Sequence, residues 1–217
     1  MRLFVAVVPP LHVKEHVELA LTSVRESQAA GGARGSLLWA PLEDRHITLA
    51  FYGEVSAGEA EDLFAGLNRI VSAQPPFELR LRGAGVFDRR IFWIGCGGDV
   101  GALSELTAGC VHLGRMVTGR EDRRVRSRSH VTVARVRAQA RTNPGRNRGG
   151  NGNGEAGRDD VATLARALAV YEGPSWHVEE IQLVSSRPGE GRSGGPAYDV
   201  VDTFALLGPA TSTVERT

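Results

Sequence analysis

Two tetrads carry the residue types in this chain that can do chemistry together: His46-Ile47-Thr48-Leu49 and His130-Val131-Thr132-Val133. Histidine is the side chain that can be half protonated near neutral pH, so a pair supplies an acid and a base at once. The threonine hydroxyl two residues on can donate to a phosphoryl oxygen. Two such tetrads facing one cleft make a clamp. One imidazole draws a proton from water on one side of a phosphorus, the other protonates the departing oxygen opposite, and the two threonines hold the non-bridging oxygens. That is in-line phosphodiester hydrolysis without a metal. A metal centre is the weaker reading, because two histidines are half a ligand set and no carboxylate or cysteine stands at matching spacing near either tetrad.

The clamp needs strands to present it. HITLAFYG and HVTVARV are rich in β-branched and aliphatic residues and read as strands. Alternation then puts His46 and Thr48 on one face with Ile47 and Leu49 on the other, and sorts His130, Thr132, Val131 and Val133 in the same way. A single His-x-Thr is a weak signal. Its recurrence in the same phase, with Ala50 and Ala134 at the fifth position, is what gives it weight. His12, His16, His112 and His177 are read as surface or packing residues.

The rest of the chain supplies the scaffold. Residues 3–8 read as a buried strand ended by Pro9-Pro10, and 11–28 as an amphipathic helix closed by the Gly-rich stretch 31–35. The first tetrad strand should run to about Tyr52, where Gly53 breaks it. Ser56 and Glu59 form a capping box for a helix to about Ser72. Phe77, Leu79 and Leu81 alternate with charged residues, and Ile91 to Ile94 follow across a turn at Asp88-Arg89-Arg90. A helix fits 99–117, then the second tetrad. The run of glycine and asparagine within 139–159 has no apolar periodicity and reads as a surface insertion. A helix over 160–171 and strands over roughly Trp176–Ser186 and Tyr198–Leu206 complete the pattern, which suggests a two-lobed pseudo-repeat.

Composition narrows the partners. The chain has 217 residues, 41% of them hydrophobic, enough for one real core, and a net charge of +1, so any polyanion must be held by a local patch. Lys14 is the only lysine among 26 basic residues. Arginine suits bidentate phosphate contacts, although a compositional bias explains much of the excess. Cys96 and Cys110 form neither a metal pattern nor a secreted disulfide framework, which makes a reducing cytoplasm the expectation. The apolar opening is too short to span a membrane.

These residues together resemble the two-histidine phosphoesterase superfamily, and within it the RNA 2′,3′-cyclic phosphodiesterases long called 2′-5′ RNA ligases. The likeness rests on Arg2-Leu3-Phe4-Val5-Ala6-Val7 with Pro9-Pro10, on Trp39 before the first tetrad, and on Phe51 and Gly53 behind it. It continues through Phe87, Trp93, the second tetrad with Arg135, and the closing Ile181-Gln182-Leu183 and Tyr198–Leu206 stretches. The resemblance implies an α+β fold of two pseudo-symmetric lobes, each an antiparallel sheet backed by helices, with the active-site groove between them, all in one domain over 1–217.

By the same resemblance His46 is the proton donor to the O3′ leaving group and His130 the base that activates water, leaving a 2′-phosphomonoester. Thr48 and Thr132 bind the cyclic phosphate, Arg135 is the phosphate-binding arginine, and Phe51 stacks on a base. No cofactor, no membrane and no obligate protein partner are expected, the partner being an RNA end and the protein a monomer. Reverse 2′-5′ ligation, sister activities on ADP-ribose cyclic phosphate or 2′-5′ oligonucleotides, and a non-catalytic binding module are the alternatives. Arg135 and Phe51 stand at odd offsets from their histidines. In an ideal strand each therefore lies on the face opposite its histidine, and a bulge or the strand's twist is required to bring Arg135 to the site; a solvent-facing Arg135 and a core Phe51 are the plain alternatives. The sequence departs from the family at Arg126-Ser127-Arg128-Ser129, where a phenylalanine and a proline are usual. Arg123, Arg124, Arg126 and Arg128 form either a phosphate track or a solvated turn.

Overall fold

The computed structural model describes residues 1–30, 37–121, 128–137, 161–191 and 195–208. In chain order the elements are β1 (Arg2–Val7), α1 (Leu11–Ala30), β2 (Leu37–Trp39), β3 (Ile47–Glu54), α2 (Ala57–Ala73), β4 (Phe77–Phe87), β5 (Ile91–Gly98), α3 (Val100–Thr118) and β6 (His130–Val136). A helix over 161–167, α4, precedes β7 (Glu172–Val178), β8 (Glu180–Arg187) and β9 (Ala197–Ala205).

All strand pairs are antiparallel, and the strands fall into two halves: β9-β8-β1-β3 and β7-β4-β5-β6, with β2 added to β6. One residue pair joins them, Ile47 of β3 with Val131 of β6. The groove that opens beside this pair is lined by residues of both β3 and β6. The helices are exchanged between the halves. Helix α3 leaves β5 in one half and packs on β3 and α2 of the other, while α1 leaves β1 and packs on β7. Val13, Val17 and Leu21 of α1 repeat every four residues and are fully buried, as a core-facing stripe requires.

Local chemistry explains the element ends. Ser56 caps α2 through the Glu59 amide, and the Glu59 carboxylate accepts from the Ser56 amide at 2.7 Å, so the capping box forms as its spacing predicts. Asp88 and Arg89 both take positive φ in the turn between β4 and β5. Gly119 ends α3 in the left-handed region.

Four expectations are corrected. Gly53 does not break β3. It takes φ +72° inside the strand and pairs with Leu3, because a bulge there needs the conformation that glycine adopts without strain. The stretch Trp176–Ser186 is two strands in opposite halves of the sheet, β7 beside β4 and β8 beside β1. The helix expected over 160–171 ends at 167, and the strand opened by Ile91 runs on to Gly98. The 139–159 insertion, Arg123, Arg124 and Arg126 lie outside the described residues. Among the described residues no helix is long and apolar enough to cross a membrane.

Candidate active site

The groove between the halves has a volume of about 780 Å³, and its lining includes His46, Thr48, Phe51, His130, Thr132 and Arg135. All six residues singled out in the sequence are therefore brought to one cavity. For Phe51 and Arg135 the cause is a pair of equivalent bulges. In β3, Ala50 pairs with Val5 and Thr48 with Ala6, which leaves Leu49 as an extra residue. In β6, Ala134 pairs with Phe92 and Thr132 with Trp93, which leaves Val133 as the extra one. Each bulge lets two successive side chains, Leu49 with Ala50 and Val133 with Ala134, turn into the core. The next residue, Phe51 or Arg135, thereby returns to the groove face.

The two histidines are held alike. His46 Nδ1 lies 2.7 Å from the Asp44 carbonyl, and His130 Nδ1 lies 3.0 Å from the Arg128 carbonyl, each two residues upstream. A carbonyl oxygen only accepts, so each Nδ1 carries a proton and Nε2 is the nitrogen left for proton transfer. Aromatic rings fix each imidazole in place. Phe4 and Tyr198 lie 4.8 and 5.3 Å from His46, and Phe87 and Trp93 lie 4.9 and 6.0 Å from His130, between ring centroids. Gly85 makes room for the Trp93 ring, since a Cβ there would come within 2.2 Å of it.

Beneath the first tetrad the Arg45 side chain is buried, 2% exposed, and donates to the Glu18 carboxylate and to the Lys14 carbonyl of α1. Glu18 also pairs with Arg25, whose guanidinium lies 3.9 Å from the Trp39 ring centroid. Burial alone would raise the Glu18 carboxyl, but hydrogen bonding and charge from Arg45, then Arg25, hold it below the usual range. The backbone just before His46 is thus tied to α1.

The field in the groove is positive. Burial first, then the charges of His130, Arg135 and Lys14, outweigh the bond to the Asp44 carbonyl and push His46 down to about 4. The free groove therefore holds His46 neutral at pH 7. Burial also keeps Tyr198 a neutral phenol and pushes the thiols of Cys96 and Cys110 up to about 12, so neither cysteine is an activated nucleophile. Among the described residues no three His, Cys, Asp or Glu side chains are grouped to hold a metal ion.

Of the other histidines, His16 bonds to the Tyr171 hydroxyl at 2.9 Å, and none lines the groove. Sequence reasoning did not single out Arg2, Phe4 and Tyr198 as site residues. Alternation along β1 holds the signal for two of them, because Arg2, Phe4 and Ala6 share the face opposite Leu3, Val5 and Val7.

Two joined antiparallel half-sheets with one His-x-Thr pair from each define the two-histidine phosphoesterase fold. The chain matches the model of the LigT-like phosphoesterase family over residues 9–93. It is 37% identical over 120 residues to an RNA 2′,3′-cyclic phosphodiesterase of Geobacillus stearothermophilus, a match that covers 50% of this chain and 36% of that protein. To the protein of the same name from Thermus thermophilus it is 29% identical over 221 residues, 96% of this chain and 91% of the relative. The crystal structure of Escherichia coli LigT complexed with ATP superposes with a TM-score of 0.63 at 21% identity, covering 94% of this chain and 97% of that one.

Proposed function

We propose that the groove hydrolyses 2′,3′-cyclic phosphate ends of RNA to 2′-phosphomonoesters, with the histidines as acid and base and no metal. The observation that carries this reading is the matched pair of imidazoles, each with Nδ1 on the carbonyl two residues upstream and a threonine beside it in one groove. The cyclic phosphate sits between Thr48 and Thr132, with Arg135 against its non-bridging oxygens. His130 Nε2 takes a proton from water as the water attacks phosphorus. The P–O3′ bond breaks opposite, and His46 Nε2 gives its proton to O3′.

The charge of the groove suits this order. The phosphate anion offsets Arg135 and removes much of the repulsion that keeps His46 neutral, so substrate itself helps His46 gain the proton it must deliver. The names of the relatives support the RNA end as substrate. Ligation in the 2′-5′ sense follows the same steps with a 5′-hydroxyl end in place of water as the attacking group: the P–O5′ bond forms, the P–O3′ bond breaks, and O3′ takes the proton from His46. The two cysteines are free, in keeping with action in a reducing cytoplasm.

The test is the identity of the product. A cyclic-ended dinucleotide turned over in EDTA, with phosphorus resonance assigning the monoester, is expected to give the 2′-phosphate. A 3′-phosphate product would overturn the assignment of O3′ as leaving group, and loss of turnover in EDTA would overturn the metal-free chemistry.

A further inference from the structure

We propose that Arg2 reads the phosphate on the 5′ side of the terminal nucleotide, so that the groove is built for an RNA end carrying that phosphate and not for a bare nucleoside cyclic phosphate. The inference rests on the reading above and deepens it.

In-line geometry fixes the direction of the substrate. Water enters from the His130 side and O3′ leaves on the His46 side, so the nucleoside lies over the half of the sheet that holds His46. Phe4 stands there beside His46. Arg2 is two residues further along the same face of β1, about 7 Å by strand rise, and lines the same groove. The 5′ extension of the nucleotide runs toward that end, past Phe51.

The geometry of Arg2 suits an anionic ligand. Its guanidinium lies over the Phe51 ring, 4.9 Å from the centroid. Among the described residues no carboxylate forms an ion pair with it, whereas Arg25, Arg45, Arg80, Arg120 and Arg187 are each paired with an acidic side chain. A guanidinium laid flat on an aromatic ring keeps its planar fork oriented, and that fork matches the geometry of a phosphate. The stacking holds the cation ready on the groove wall. Arg128 and Arg135 line the half that receives water, so Arg2 is the arginine placed for the nucleotide's 5′ side.

Three substrates test this: a nucleoside 2′,3′-cyclic phosphate, the same compound with a 5′-phosphate, and a cyclic-ended dinucleotide. The protein is expected to favour the second and third over the first by about tenfold in kcat/KM, the scale of a charge-assisted contact. Arg2→Gln should bring the ratio of the second to the first close to one. Equal kcat/KM for the first two with the unmodified protein overturns the inference and leaves the hydrolase reading standing, as does a preference that survives in Arg2→Gln. No turnover of any of the three overturns both.

Discussion

Ile47 and Val131, each the residue directly after a groove histidine, are partners across the junction of the two half-sheets. Both are buried, at 0% and 1% exposure. Because alternation turns His46 and His130 to the opposite face from these two side chains, the pair that joins the halves also sets how the histidines oppose one another. Truncating either residue should cost stability and geometry together. Ile47→Ala and Val131→Ala are each expected to lower unfolding free energy by about 2–4 kcal/mol. The double variant should lose less than the sum, because each single change already damages the shared contact. Additive losses in denaturant unfolding would mean the two residues are not energetically coupled.

A pH profile reports the histidine pair. The rate constant kcat/KM reports the free enzyme, where burial and positive neighbours push His46 down to about 4. The reaction needs one protonated and one neutral imidazole, so kcat/KM should bend near pH 4 as His46 titrates. The matching inflection in kcat should lie at higher pH, because bound phosphate anion favours the protonated ring. A kcat/KM profile with no bend near pH 4 would contradict a titrating His46 in the chemistry.

Arg45 never meets the groove, yet its removal should reach the site through the backbone before His46. Arg45→Met is expected to destabilise the protein by on the order of 2–3 kcal/mol, somewhat less than a fully unpaired buried charge, because Arg25 still pairs with Glu18. The Glu18 carboxyl is depressed in the fold, so its contribution is present above the ordinary carboxylate range and is lost as pH falls through the folded value. The stability gap between native protein and Arg45→Met should therefore narrow on acidification. Thermal unfolding from pH 7 down to pH 3 checks it, and a constant gap would contradict it.

Much of this architecture was legible in the sequence because it depends on period and local chemistry. Alternation placed both His-x-Thr pairs correctly, and the Ser56–Glu59 capping box set the start of α2. The parity of Phe51 and Arg135 was not legible. Leu49 and Val133 are ordinary strand residues, and nothing in an aliphatic side chain announces that its backbone bulges; only the partner strand shows the missing opposite residue. From sequence Gly53 reads as a stop, because a lone glycine in a strand serves a break and a bulge equally well. The division of Trp176–Ser186 was hidden for a related reason. β7 and β8 both alternate and are separated only by Glu179, while their assignment to opposite halves depends on long-range pairing with β4 and β1. The exchange of α1 and α3 between halves is likewise a tertiary fact without a local mark.

The most direct test of the account is turnover of a short RNA ending in a 2′,3′-cyclic phosphate, in EDTA, by the native protein, His46→Ala and His130→Ala. Metal-independent hydrolysis is expected, reduced at least about 10²-fold by either substitution, the scale of a missing general acid or base. Turnover that persists in both variants would contradict it and remove the histidine pair from the chemistry.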